Sequence, residues 1–187
     1  MKTLLVVAHP RVTSLTHAAA RAFADAATAR GHEIEVADLM TEGFDPALQE
    51  PDEPDWGTPG KLFSAAVQTE MTRIERNQAT VLVYPVWWWS MPAVLKGWID
   101  RVWNQGWAYD GGTYPHRRVW SIGIAGNSAE TYAGRGYDAA LRVQVEVGIL
   151  RYCGVSETRH VVLHDSLDGR DASDAVVAGA GLLGQEF

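Results

Sequence analysis

Apolar and polar positions divide the chain into five short apolar runs separated by longer segments of helical spacing. Residues 3–8 form the first run, continuously apolar as in a strand covered on both faces. Residues 13–30 are alanine-rich and predict a helix that stops at Gly31. Residues 33–37 predict a second strand. Residues 40–60 break the pattern, with Pro46, Pro51, Pro54 and Pro59 among several acids. They predict a long loop, and loops of that length are often functional. Residues 61–77 predict an amphipathic helix and 80–84 a third strand. Next, Val94, Leu95, Trp98, Ile99, Val102 and Trp103 fall on one helical face, with Pro92 in the first turn, where a missing N–H is harmless. A Gly- and Tyr-rich loop follows at 107–116, then a fourth strand at 118–125 and a loop at 126–136. A helix at 137–153 ended by Gly154, a fifth strand at 158–163 and a helix at 172–183 complete the chain.

Strands alternating with helices predict an α/β protein with a parallel sheet covered on both faces. Right-handed crossovers make it a three-layer, doubly wound fold, with strand order 2-1-3-4-5 expected. No repeat or linker divides residues 1–187, so one domain is expected. Ligands of such folds bind beyond the carboxyl ends of the strands, where the strand order reverses. The loops after strands one, three and four are therefore the ones to search.

Composition narrows the functional classes. At 187 residues and 47% hydrophobic, the chain can bury a substantial core. A net charge of -7 argues against generic binding to nucleic acid or anionic membrane. No apolar run reaches a membrane-spanning length and the N-terminus lacks a secretory pattern, so a cytoplasmic protein without membrane insertion is expected. Cys153 is the only cysteine and is expected to be a buried structural thiol. His160 and His164 share a strand face but have no third ligand nearby in sequence, so no metal is expected.

Each of the three loops carries chemistry. The first gathers Thr13, Ser14 and Thr16 at a helix N-terminus, with His9 and Arg11 beside them. Free N–H groups and the helix dipole suit a phosphate there, while Thr13 or Ser14 acting only as an N-cap is the plainer reading. The second holds Trp87, Trp88 and Trp89, which cannot all point inward from a strand because alternate side chains face opposite ways. They read as a platform for a flat ligand, whereas Trp98 and Trp103 follow the helical period and read as core. In the third, Gly123 and Gly126 let backbone N–H groups approach a ligand, and Tyr132 either donates a hydrogen bond to it or is an ordinary surface tyrosine.

Three motifs in order carry a resemblance. They are Ala8-His9-Pro10 through Thr16, Pro85-Val86-Trp87-Trp88-Trp89 followed by Pro92-Ala93-Val94-Leu95-Lys96-Gly97-Trp98, and Gly123 through Gly126. Trp107-Ala108-Tyr109 adds to them, and the likeness spans essentially the whole chain. The chain resembles the flavin-dependent NAD(P)H:quinone oxidoreductases of flavodoxin-like fold, a group that includes DT-diaphorase, bacterial drug-activity modulators and ancillary oxidoreductases of potassium efflux. The resemblance implies a bound flavin, FAD with FMN as the alternative, since the first loop aligns without gaps to FAD-dependent members. His9, Thr13, Ser14, Leu15 and Thr16 would hold its phosphate side. Pro85, Val86, Trp87, Trp88 and Trp89 would contact its ring, and Gly123, Ile124, Ala125 and Gly126 its pyrimidine edge. Tyr132 matches the tyrosine that stabilises reduced flavin. The family's catalytic histidine falls near Tyr137 or Asp138, so Tyr137 is the weak proton donor available there. The implied reaction passes two electrons from NAD(P)H to a quinone or similar acceptor by a ping-pong scheme. A homodimer is implied, and the aromatic segment 103–114 is a candidate contact. The alternatives are a flavin-bound regulatory subunit of a membrane ion-efflux system, docking through acids of residues 40–55, and a flavodoxin-like electron carrier.

Overall fold

Five parallel strands run through the centre of the structure, a computed structural model that describes residues 1–58 and 60–187. Pro59, one of the predicted loop prolines, lies outside the described residues. The strands are β1 (Lys2–Val7), β2 (Glu33–Asp38), β3 (Ala79–Pro85), β4 (Arg118–Ile124) and β5 (Glu157–Leu163). Their order is β2-β1-β3-β4-β5, all parallel, as the alternation of elements predicts.

The side-chain period of two assigns each strand to two cores. In β1, Leu4 and Val6 face one side and Leu5 and Val7 the other; in β3, Leu82 and Tyr84 oppose Val81 and Val83. The first core is roofed by α2 (Ala65–Glu75) and α3 (Ala93–Val102), the second by α1 (Leu15–Ala29) and α6 (Arg170–Glu186). Trp98 is fully buried, with its indole N–H donating to Glu70 at 2.9 Å. Trp103 stacks on Tyr114 with ring centroids 3.9 Å apart. Both rings are buried, so the segment 103–114 does not offer them as the aromatic contact surface expected from the sequence.

Several boundaries differ from the sequence reading. Residues 126–136 are not a plain loop: α4 (Ala129–Arg135) forms there, because Ser128 caps it by accepting from the Thr131 N–H and Gly136 ends it at φ 72°. Downstream, α5 (Tyr137–Arg142) continues as a π-helix over Val143–Arg151. The buried positions Leu141, Val145 and Leu150 recur at four and five residues, a spacing that a widened helix aligns. Ser64 and Ser14 start α2 and α1 later than hydropathy alone suggests, because each hydroxyl accepts an N–H of the first turn.

The long segment after β2 is an excursion pinned to α3. A Cβ at Gly97 would lie 2.2 Å from the Pro46 carbonyl oxygen, so only glycine permits the contact. Buried Asp52 accepts from Arg101 at 2.7 Å and from the Ser64 hydroxyl at 2.9 Å. Asp52 is therefore turned inward, which removes it from any acidic docking surface on this segment.

Candidate functional site

The sheet reverses its direction of growth between β1 and β3, and the loops leaving their carboxyl ends diverge there. A cavity of about 420 Å³ opens at that point. His9, Arg11, Leu15 and Thr16 line it from the first loop, Pro85, Val86 and Trp87 from the second, and Ile124 and Gly126 from the third. Nine of the residues singled out from sequence thus share one space.

The other expected residues stand around it. Ser14 is buried as the α1 N-cap, and Thr13 is exposed. Trp88, Trp89, Gly123, Ala125, Tyr132 and Tyr137 lie outside the cavity lining. The Ala125 N–H is already engaged by Leu163 O and its carbonyl by the Ser166 N–H. Ser166, Leu167 and Ser173 line the cavity but were missed from sequence. The available signal was positional: they follow β5, whose carboxyl end points the same way as the other three. A Cβ at Gly126 would meet the Leu167 side chain at 2.7 Å.

The first loop is held by polar contacts. The Ser14 hydroxyl accepts from the His17 N–H at 3.2 Å and hydrogen-bonds His17 Nδ1 at 2.9 Å. His17 Nε2 in turn meets Asp38 Oδ2 at 2.9 Å. Burial works against ionisation of Asp38, but hydrogen bonds from His17 and Thr41 prevail, and its carboxyl lies below the ordinary range. Ser14 satisfies only the third N–H of α1, so those of Leu15 and Thr16 have no intrahelical acceptor and remain for a ligand. His9 is pushed down by burial and by neighbouring Arg11 and His17, so it is a neutral ring. Its Nδ1 accepts from the Arg11 N–H at 3.0 Å, and its ring sits 5.9 Å from that of Trp87.

The second loop is held by backbone geometry. Trp87 and Ser90 exchange N–H···O bonds of 3.1 and 3.0 Å, enclosing Trp88 and Trp89 in a two-residue turn. Both turn residues are left-handed, at φ 50° and 53°. This is the geometry that Asn-Gly normally supplies, and each tryptophan costs about 1–2 kcal/mol there. Strain of that kind clusters at ligand-binding and active sites. Trp88 is 88% exposed, while Trp89 packs on Tyr137 with centroids 4.4 Å apart.

Tyr132 is not a surface tyrosine. It is buried against Tyr137 and His164, with ring centroids at 5.7 and 4.8 Å. Burial first, then Tyr137, pushes its phenol above the usual value, so it is a donor at neutral pH. His160 and His164 share a groove with Asp138 and Arg142. Among the described residues no three His, Cys, Asp or Glu side chains are grouped to hold a metal ion, and no helix is long and apolar enough to cross a membrane. Cys153 is buried, which pushes its thiol to about 11.

Comparison with known proteins places this geometry. The flavodoxin-like fold family model matches residues 1–182. A protein of Escherichia coli (strain K12), named as an uncharacterized NAD(P)H oxidoreductase, YcaK, is 38% identical over 135 residues, covering 72% of this chain and 69% of that protein. NAD(P)H dehydrogenase (quinone) 1 of Cavia porcellus is 27% identical over 177 residues; the match covers 82% of this chain but only 64% of that enzyme. Among solved structures, the NAD(P)H:quinone oxidoreductase from Methanothermobacter marburgensis superposes with a TM-score of 0.91 at 29% identity, covering 100% of this chain and 95% of that one.

Proposed function

The chain belongs to the flavodoxin-like NAD(P)H:quinone oxidoreductase family, and from that premise we propose that it is a flavoprotein reducing quinones or similar acceptors with NAD(P)H. The observation that carries the reading is the cavity itself: three loops from β1, β3 and β4 converge on one space with an aromatic wall at Trp87 and unpaired helix N–H groups at Leu15 and Thr16. The residues fit a flavin. An apolar rim of Pro85, Val86, Trp87 and Ile124 suits a flat ring, and side-chain-free Gly126 keeps its edge clear. The α1 N-terminus suits a phosphate.

A bound flavin would supply the two-electron carrier chemistry between NAD(P)H and the acceptor. The protein orients and shields. Leu15 and Thr16 would hold the phosphate side through backbone N–H groups, with Arg11 supplying positive charge. His9 and Thr13 border that side. Trp87 would pack against the ring, with the strained turn of Trp88 and Trp89 beside it. Ile124 and Gly126 would border the pyrimidine edge from the third loop, with Gly123 and Ala125 behind them. Tyr132 stays protonated and would donate a hydrogen bond where negative charge develops, with Tyr137, held by Trp89, as the second phenol beside it. We assign FAD, with FMN the alternative, on the match of the first loop to FAD-dependent members. A homodimer is supported by the exposed rings of Trp88 and Tyr152, since aromatic residues favour interfaces.

The test is to load the protein with FAD or FMN and record the visible spectrum anaerobically. Absorbance that bleaches on NADPH or NADH and returns on adding a quinone is expected. Failure to retain either flavin contradicts the cofactor assignment, and a retained flavin that does not respond to either nucleotide contradicts the activity.

A further inference from the structure

A groove of about 370 Å³ lies beside the cavity described above, between α5 and the edge strand β5. Asp138, Ala139 and Arg142 line it from the helix, and His160, Val162 and His164 from the strand and its end. The two spaces are neighbours. The cavity lining includes Gly126, and His164 of the groove is hydrogen-bonded at 3.2 Å to the carbonyl of the next residue, Asn127. The His164 ring also meets that of Tyr132, with centroids 4.8 Å apart.

Hydrogen counting fixes what the groove offers. Tyr84 is fully buried, and burial pushes its phenol up to about 12. Among the described residues its only hydrogen-bond partner is the Ser121 hydroxyl, at 2.9 Å. Tyr84 therefore donates to Ser121 Oγ, and the Ser121 proton goes to His160 Nδ1, 3.1 Å away. Burial pushes His160 down, so its ring is neutral and carries its one proton on Nε2. That buried atom has no partner among the described residues. An orphaned N–H is costly, and such groups are seldom left without an acceptor. His164 is the converse: a carbonyl only accepts, so Nδ1–H donates to Asn127, and Nε2 of the neutral ring keeps a lone pair. Asp138 adds a carboxylate, one oxygen of which accepts from the Ala139 N–H at 2.7 Å. Arg142 adds an exposed guanidinium that makes no ion pair among the described residues. Glu146, the acid whose field it shares, is held by Arg151 at 2.6 Å and Thr158 at 2.9 Å.

A phosphate alone would meet Asp138 as a like charge. A purine carrying a phosphate uses every group, because adenine sets a ring-nitrogen acceptor beside an amino donor, and phosphate suits a guanidinium. We propose that this groove is an adenylate subsite, holding the adenosine phosphate half of the nicotinamide dinucleotide while the nicotinamide end occupies the flavin cavity. His160 donates to a ring nitrogen, Asp138 or His164 accepts from the amino group, and Arg142 pairs with phosphate. This rests on the reductase reading and gives it a substrate, the whole dinucleotide rather than its nicotinamide half.

The test uses the flavin-loaded protein and two readouts. AMP, titrated calorimetrically, is expected to bind wild type, and to bind Arg142→Ala about tenfold more weakly, the loss of one charge-assisted hydrogen bond. His160→Phe, which keeps a ring but no N–H, should weaken AMP as well. In initial rates, the ratio of kcat/KM for NADH to that for reduced nicotinamide mononucleotide should fall about tenfold in Arg142→Ala, through KM rather than kcat, as for uniform binding. Arg142 is exposed, so its variant keeps the test open if His160→Phe folds poorly. Failure of AMP to bind wild type, or an unchanged AMP affinity and NADH ratio in Arg142→Ala, would overturn the subsite while leaving the reductase reading intact. An FAD affinity that falls in Arg142→Ala while that of FMN holds would give the groove to the cofactor's adenylate and overturn the proposal. No flavin reduction by NADH or NADPH, with AMP still binding, would overturn the reductase reading and the dinucleotide with it.

Discussion

The loop after β1 closes on a buried polar chain whose two side-chain hydrogen bonds each measure 2.9 Å, whereas the loop after β3 closes on two tryptophans in left-handed backbone, one of them 88% exposed. Both border the same cavity. The first satisfies the side chains of Ser14, His17 and Asp38 and is a locally favourable structure. The second retains strain and exposed aromatic area that folding alone would remove. The difference teaches where binding chemistry can override stability: strain concentrates on the side proposed to meet a flat apolar ring, while the side proposed to meet a phosphate needs only the N–H groups a helix start provides.

The largest effect should come from replacing Trp88-Trp89 with Asn-Gly. The new pair prefers the turn, a gain of about 2–4 kcal/mol on two left-handed residues, against about 0.5–1.5 kcal/mol lost with the Trp89–Tyr137 contact. The variant should melt several degrees higher and bind flavin more weakly. A lower melting temperature would mean that the turn is not strained.

Ser14→Ala attacks the other loop and should go the opposite way. Loss of the N-cap costs about 1 kcal/mol, measured by denaturant titration. An unchanged midpoint would show that the polar chain does not hold α1.

Gly126→Ala should separate stability from binding. Its Cβ meets the end of the Leu167 side chain, which is 82% exposed and free to turn aside, so stability should change by less than about 0.5 kcal/mol. Flavin affinity should nevertheless fall, since the methyl group and the displaced Leu167 intrude on the cavity; titration calorimetry would decide.

The smallest effect is one of pH. The Asp38 carboxyl is depressed in the folded protein, so its contribution is present above the unfolded value and is lost as pH falls through the folded one. Wild type should lose stability more steeply than Asp38→Asn on acidification below about pH 4. Parallel acid-stability curves would contradict the hydrogen-bond account of Asp38.

Much of this was legible in the chain. Continuous apolar runs such as Leu4–Val7 announce strands covered on both faces, and the alternation with helices leaves few ways to order them. The tryptophan loop was legible because three adjacent rings fit neither a strand nor a helix period. The missed parts depend on contacts distant in sequence. Leu167 and Ser173 reach the cavity only because β5 pairs with β4. Asp38 meets His17 across 21 residues, and nothing local to either signals the other. Helix α4 was missed because its seven residues are too short for hydrophobic periodicity; its signal was the Ser128 cap.

In the proposed reaction one cavity is used in turn by nucleotide and acceptor. Initial rates with the flavin-loaded protein, varying NAD(P)H at several fixed quinone concentrations, test that most directly. Parallel double-reciprocal lines, with excess quinone competing against the nucleotide, are the predicted result. Intersecting lines would require both substrates bound together and would contradict a single shared site.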